Sequence, residues 1–366
     1  LKFRRARARP ARSAEERRGG GSAMLALTLT GPKKALELLA VDEPSDVEDG
    51  EILVRMDYSS VQPMDSELLA GGLGVACPQI MGTEGVGTVL QSRCPSFSVG
   101  SRVGFLFWRV PADFGCWRPA VKLSAARALL CEIPRDLAPQ EVAAGLSSTL
   151  MAVACLRYFS PGAVLVVPGA CGAVGLSLLQ LAAIRGMKAV GLVRGAVRTA
   201  WIAKELGPIG DIYAVDVSVP DWQDLLMEVC GASDEGDRGA DGVLDGVGGE
   251  LLVQVLESAA VRARGAVVTY GQLAGPADEA RVAAAVKRRG LRRHRDSLPE
   301  ALERPDALAQ VQEALALMAA GKYRPRVWQN VNWKDAGHVL VPQPSWSKYI
   351  SQFTEGRIGR IVLKFD

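Results

Sequence analysis

Ala163-Val164-Leu165-Val166-Val167-Pro168-Gly169-Ala170-Cys171-Gly172-Ala173-Val174-Gly175, continuing into the apolar residues 176–184, is the stretch that decides the fold. An apolar run leads into a glycine-rich turn, and the turn leads into a helical pattern. This is how a buried parallel strand hands over to a helix whose first N–H groups lack intrahelical partners. Gly172 and Gly175 let the backbone approach an anion such as a pyrophosphate, and those N–H groups can point at it. A strand-to-helix turn that uses glycine for packing alone is the alternative reading.

The next strand narrows the choice. Ala189-Val190-Gly191-Leu192-Val193 ends in Arg194, with Arg198 close behind. An acidic residue at this point usually takes the ribose hydroxyls of NAD, whereas arginine suits the extra phosphate of NADP. A βαβ unit with merely solvated arginines competes with this reading.

The 366 residues are enough for two domains, and an apolar content of 48% is ordinary for a globular chain. The net charge of +3 misleads. Lys2, Arg4, Arg5, Arg7, Arg9, Arg12, Arg17 and Arg18 face Glu15 and Glu16 at the start, and the remainder is near neutral or mildly acidic. No global basic field for nucleic acid is therefore expected, and no apolar run is long enough to span a bilayer. The 7 cysteines are scattered, odd in number and never in a CxxC pair. This argues for a reducing compartment and against a disulfide framework or a structural zinc site. The histidines are His294 and His338, so a His-based zinc site in the N-terminal half is impossible, and no metal is expected.

Residues 1–23, rich in Arg, Ala and Gly, cannot bury a core. An Arg-rich, acid-poor leader fits an organelle transit peptide and hence a mitochondrial location. The absence of a first Met, the possible start at Met24 and the interruption by Glu15-Glu16 leave a translated upstream region or cloning remnant, and a cytoplasmic protein, as the other reading.

Residues 24–144 read as β-rich: short apolar strands such as Glu51-Ile52-Leu53-Val54-Arg55-Met56 alternate with Gly/Pro punctuation, which suggests a barrel-like domain. Residues 145–300 alternate strands and helices, the pattern of a doubly wound parallel sheet. Residues 301–366 complete the nucleotide domain and end in a strand, 357–365, that should rejoin a sheet.

Several segments carry a family resemblance: Val61-Gln62-Pro63-Met64-Asp65, Gly82-Thr83-Glu84-Gly85-Val86-Gly87, Phe97-Ser98-Val99-Gly100-Ser101-Arg102-Val103 and Ser160-Pro161-Gly162-Ala163. With this order of domains, nearly everything after the tail resembles the medium-chain dehydrogenase/reductase superfamily. Its zinc alcohol dehydrogenases carry His where this chain has Thr83, so the chain resembles the zinc-free branch. Phe114-Gly115-Cys116-Trp117-Arg118, Leu244-Asp245-Gly246-Val247-Gly248-Gly249 and Val267-Val268-Thr269-Tyr270-Gly271 resemble motifs of mitochondrial trans-2-enoyl-thioester reductases. Quinone oxidoreductases share most of the rest.

The resemblance implies an α/β fold: a doubly wound parallel Rossmann sheet plus a β-rich GroES-like barrel domain. It implies NADPH-dependent reduction of the double bond of a 2-enoyl thioester, carried on acyl carrier protein or CoA, as in mitochondrial fatty acid synthesis. Hydride would reach the β carbon and a proton the α carbon, with an enolate to be stabilised between. By position, Gly172, Ala173, Val174 and Gly175 would hold the pyrophosphate, and Arg194, with Arg198 second, the 2′-phosphate. Tyr270, Gly271, Gln272 and Leu273 would line the nicotinamide side, while Ser148 (or Thr149) and Arg360 would also touch cofactor. The family dimerises by joining nucleotide-domain sheets edge to edge. This implies a homodimer, with residues 327–331 as the candidate edge.

The chain departs from the family at the catalytic tyrosine, which here is Leu73, a side chain that cannot donate a proton. The family's Asn is Gln62, a candidate cleft residue, and the apolar segment that helps close the family's site is replaced near 291–296 by a polar, basic run. The basic residues 287–295 are read either as attracting the phosphates of CoA or an acidic carrier protein or as a solvated loop, with His294 solvated. An NADPH quinone or alkenal reductase, or a catalytically weak NADPH-binding protein, therefore stands beside the enoyl reductase. Trp117 is read as shaping the cleft or as β core, and Asp65 as capping a helix that starts at Ser66. Cys171, at a helix N-terminus that would lower its pKa, is read either as a redox-sensitive thiol or as a small residue tolerated in the turn.

Overall fold

The structure, a computed structural model, describes residues 22–71, 76–107, 115–233, 237–339 and 357–366. Leu73, Phe114 and the basic tail before Ser22 lie outside the described residues. The chain divides into two compact units. One holds the chain up to Ile133, a segment beginning at Gln329, and Ile361–Asp366; the other holds Pro134–Trp328 and a short piece ending at Arg360.

The first unit contains β1 (Ala23–Leu29), β2 (Leu36–Asp42), β3 (Glu51–Ser60), α1 (Pro63–Leu69), β4 (Gln79–Ile80), β5 (Glu84–Ser92), β6 (Arg102–Phe107), β7 (Ala120–Ser124) and β8 (Ala128–Glu132). Two late strands join it, β15 (Val327–Asn332) and β16 (Arg360–Lys364). Among the described residues the strands form a sheet β2-β1-β4 and a second sheet β15-β16-β3-β5-β6-β8, with β7 also paired to β3. The Gly-Val-Gly of β5 has a steric cause. A Cβ at Gly85 would lie 2.4 Å from the Met56 methyl, and one at Gly87 would lie 2.2 Å from the Arg55 carbonyl. β3 and β5 can pair as closely as they do because those positions carry no side chain.

The second unit contains α2 (Pro139–Leu156), β9 (Val164–Pro168), α3 (Ala173–Ile184), β10 (Lys188–Val193), α4 (Ala196–Glu205), β11 (Ile212–Asp216), α5 (Trp222–Cys230), β12 (Ala240–Asp245), α6 (Gly249–Glu257), β13 (Val261–Thr269), α7 (Glu279–Arg289), β14 (Arg292–Arg295), α8 (Leu298–Leu302) and α9 (Ala307–Ala319). The sheet order is β11-β10-β9-β12-β13-β14, and every neighbouring pair is parallel. β9 reads as a continuous apolar run because Leu165, Val166 and Val167 are all fully buried in the middle of the sheet. Strand order reverses between β9 and β12, which opens a crevice at their carboxyl ends. Among the described residues no helix is long and apolar enough to cross a membrane.

Three expectations need correction. The basic run 287–295 is not a loop: it ends α7 and forms β14, paired in parallel with β13 (Val268 opposite His294). An edge strand has one side open, so charged residues are tolerated there and the apolar signal disappears. His294 is accordingly not a solvated loop residue; its ring stacks on Tyr158 with centroids 4.1 Å apart. Residues 327–331 do not edge the nucleotide sheet. They belong to β15, beside β16 in the sheet of the first unit.

Candidate nucleotide-binding site

The turn after β9 is built for close approach. Gly169 takes φ +69°, and Gly172 is the N-cap of α3, in extended conformation with no side-chain cap. The first N–H groups of α3 therefore face outward without a capping oxygen. The glycines have separate tasks. A Cβ at Gly175 would lie 2.6 Å from the Gly169 carbonyl and 2.7 Å from the Ala170 Cα, so Gly175 serves packing of the helix on the turn. A Cβ at Gly172 would meet the Gly169 carbonyl at 3.3 Å and nothing else near, which leaves the outer face of this residue open. That open face beside uncapped amides suits an anion.

Cys171 fits the reading of a small residue in the turn, not that of a reactive thiol. Its thiol is buried, and burial pushes it up to about 11, with the Arg198 charge opposing. Desolvation outweighs the helix terminus, so Cys171 is a packing residue rather than a thiolate.

Arg194 stands exposed at the end of β10. Arg198, on the first turn of α4, donates from Nη1 to the Arg194 carbonyl at 2.8 Å. Asp216, at the end of β11, accepts from the Gly195 N–H at 2.8 Å and fixes this turn. The Ser218 hydroxyl holds the Asp216 carboxyl below the usual carboxylate range.

The other side of the crevice is a stitched pair of loops. Asp245, fully buried at the end of β12, accepts from the Val247 and Gly248 amides at 3.0 and 3.1 Å. Burial nevertheless lifts its carboxyl above the ordinary value. Leu273 N–H donates to the Gly246 carbonyl at 3.1 Å and Ala274 N–H to the Val247 carbonyl at 2.7 Å. The Tyr270 ring lies over Gly246, where a Cβ would come within 2.4 Å of it. Tyr270, Gly271, Gln272 and Leu273 thus form one ledge with the β12 turn.

One expected residue sits differently. Ser148 is buried on α2 and turns back to the Ala144 and Gly145 carbonyls, at 3.3 and 3.1 Å. Its neighbour Ser147 accepts from Arg360 Nη1 at 3.1 Å. A one-residue change of register on a helix turns the side chain by about 100°, which motif matching could not resolve. The Gly359 N–H donates to the Cys171 carbonyl at 2.9 Å and lays the segment before Arg360 against the glycine-rich turn.

In the first unit, Gln62 is the N-cap of α1, so the helix begins at Pro63 rather than Ser66. Asp65, at the third helical position, reaches back to accept the Gln62 N–H at 2.7 Å. Gln62 Nε2 donates to Thr83 Oγ1 at 3.1 Å. Trp117 is fully buried and donates from Nε1 to Ser59 Oγ at 2.9 Å, packed where Gly82 leaves room. It is β core. Glu84 is fully buried and accepts from the Ser60 hydroxyl.

Residues 48–131 match the alcohol dehydrogenase GroES-like domain family. Among curated relatives, the mitochondrial enoyl-[acyl-carrier-protein] reductase of Rattus norvegicus is 26% identical over 261 residues, covering 66% of this chain and 63% of that protein. The chain thus spans less than two thirds of that relative's length. Acrylyl-CoA reductase of Ruegeria pomeroyi is 27% identical over 221 residues, 58% of this chain and 63% of that protein. Among solved structures, a quinone oxidoreductase of Pseudomonas syringae superposes with TM-score 0.76 at 22% identity, over 93% of this chain and 99% of that one. A mycobacterial protein complexed with NADPH gives 0.74 at 23% identity, with the same coverage. These two likenesses speak for the fold.

Proposed function

We propose that this chain is a zinc-free medium-chain reductase that uses NADPH to reduce the double bond of 2-enoyl thioesters of acyl carrier protein or CoA. The observation that carries the cofactor half is the pair Arg194 and Arg198 at the end of β10, next to the open face of Gly172 and an uncapped helix. The substrate half rests on the reactions named for the curated relatives.

The residues fit the cofactor. The α3 amides would hold the pyrophosphate, Arg194 and Arg198 the 2′-phosphate, and Arg360 a further polar edge. The ledge 270–273, tied to the β12 turn, would orient the nicotinamide ring. When bound, NADPH supplies the hydride that reaches the β carbon. The chain's own task is then to steady the enolate oxygen and allow a proton to reach the α carbon. Leu73 cannot perform either task. Water then supplies the α proton.

A second reading, NADPH reduction of quinones or alkenals, gains from Leu73, because the proton step weighs less there. A weakly catalytic NADPH-binding protein gains from the same residue. The mitochondrial names of relatives and the Arg-rich leader support a mitochondrial site of action, and a homodimer is proposed with it.

The deciding experiment is NADPH oxidation by the purified chain with 2-enoyl-CoA and a quinone in parallel. Turnover of the thioester is expected. Turnover of quinone alone selects the second reading. Tight NADPH binding without either, unrescued by Leu73→Tyr, selects the weakly catalytic protein.

A further inference from the structure

β14 ends the sheet of the second unit: among the described residues it pairs with β13 alone. The Asp296 N–H, just past the strand, donates to the Thr269 carbonyl at 3.0 Å. The backbone groups of residues 292, 294 and 296 therefore face β13, and by alternation the N–H and C=O of Arg293 and Arg295 face away from it. Such an open edge is a template for another strand. Its side chains are cationic on both faces. His294 stacks on Tyr158, which puts Arg292 on that face too. Arg293 donates from Nη2 to Glu279 Oε2 of α7 at 3.2 Å, which puts Arg295 on the α7 face. Lys287 and Arg288 add cations at the end of α7. Arg292, Arg295, Lys287 and Arg288 are exposed and form no ion pair among the described residues. The neighbouring acids are engaged: Glu279 by Arg293, and buried Asp296 by Arg157 at 2.9 Å. Pairing of β14 with its own copy sets arginine against arginine, which is destabilising. Nucleic acid or a lipid surface offers phosphates but no row of peptide donors and acceptors. An extended polypeptide with acidic side chains satisfies both the charge and the open ladder.

We propose that the outer edge of β14 is a docking site for an extended acidic segment of a partner protein. The segment adds a strand to the sheet of the second unit and sets its carboxylates on Arg292 and Arg295. This goes beyond the NADPH reading and does not depend on it. It leaves β11, the other edge of that sheet among the described residues, for any pairing of identical chains.

The test titrates the full chain into fluorescently labelled peptides and reads anisotropy. The probe alternates glutamate and threonine. One control alternates lysine and threonine. A second alternates glutamate and proline, which keeps the charge but cannot build a ladder. The glutamate–threonine peptide is expected to bind, about tenfold more weakly at physiological than at low salt. Both controls should bind at least about tenfold more weakly than the probe. Joint Arg292→Glu and Arg295→Glu replacement should cost the probe about tenfold or more, whereas lysine at both positions should keep most of the affinity. These side chains are exposed, so the melting temperature should hold; if the double reversal lowers it, Arg295→Gln is read instead, with a smaller loss expected. No binding of the probe at millimolar concentration overturns the proposal, because the arginines then only guard the edge against aggregation. Equal binding of the glutamate–proline peptide, or tighter binding of a DNA duplex or a phosphatidylglycerol vesicle, overturns it as well, because the patch then reads charge alone. So does self-association of the wild type that the double reversal abolishes, since a second copy then holds the edge.

Discussion

At the residue scale, charge and the absence of a Cβ do most of the work at this turn. Arg194 is exposed and free of packing duties, so Arg194→Ala should fold normally and weaken NADPH binding about tenfold while leaving NADH nearly unchanged. A fluorescence titration of both cofactors checks this; equal losses would remove Arg194 from the 2′-phosphate. Gly175 is the opposite case. Gly175→Ala forces a methyl to within 2.6 Å of the Gly169 carbonyl and should destabilise the chain by about 1–3 kcal/mol, read as a shifted denaturant midpoint. The sequence announced both glycines of this turn but not their division of labour, since only packing shows which one is open. Cys171 is a related case. Position at a helix terminus is legible in sequence, whereas the desolvation that outweighs it is not.

At the element scale, β9 to β13 were legible because buried parallel strands are continuous apolar runs bounded by glycine. β14 was not, because Arg292, Arg293, His294 and Arg295 sit on an edge where burial selects nothing. Nor was the register of α2, whose residues 147–149 are three successive hydroxyls facing different neighbours: Ser147 meets Arg360, Ser148 its own helix, and Thr149 the Tyr323 hydroxyl at 2.7 Å. The ledge formed by the β12 and β13 loops gives a prediction of its own. Gly246→Ala places a methyl 2.4 Å from the Tyr270 ring and must displace it. The variant should lose nicotinamide-dependent affinity, measured as weaker NADPH binding with 2′,5′-ADP binding retained. Equal retention of both would show that the ledge does not touch the cofactor.

At the scale of the whole molecule, the reducing-compartment reading of seven scattered cysteines has a consequence for stability. Burial pushes Cys171 up to about 11 and Cys116, Cys131 and Cys230 up to about 12, from an ordinary value near 9.0. The unfolded chain releases these protons first, so it binds fewer than the folded chain above about pH 9, and stability must fall as pH rises there. Urea midpoints at pH 8 and pH 10 should show the drop; identical midpoints would contradict it. The proposed dimer can be tested on the same material. Among the described residues the edges of the nucleotide sheet are β11 and β14, and β14 would lay arginines opposite arginines in a two-fold pairing. A dimer through β14 should tighten as salt screens that repulsion, while a monomer mass by light scattering at micromolar concentration in both low and high salt would rule the dimer out.

The measurement closest to the central claim is the affinity of the purified chain for NADPH against NADH, read by fluorescence. The arginines gathered at the end of β10 require NADPH to bind at least about tenfold more tightly. Equal affinities, or a preference for NADH, would contradict the account.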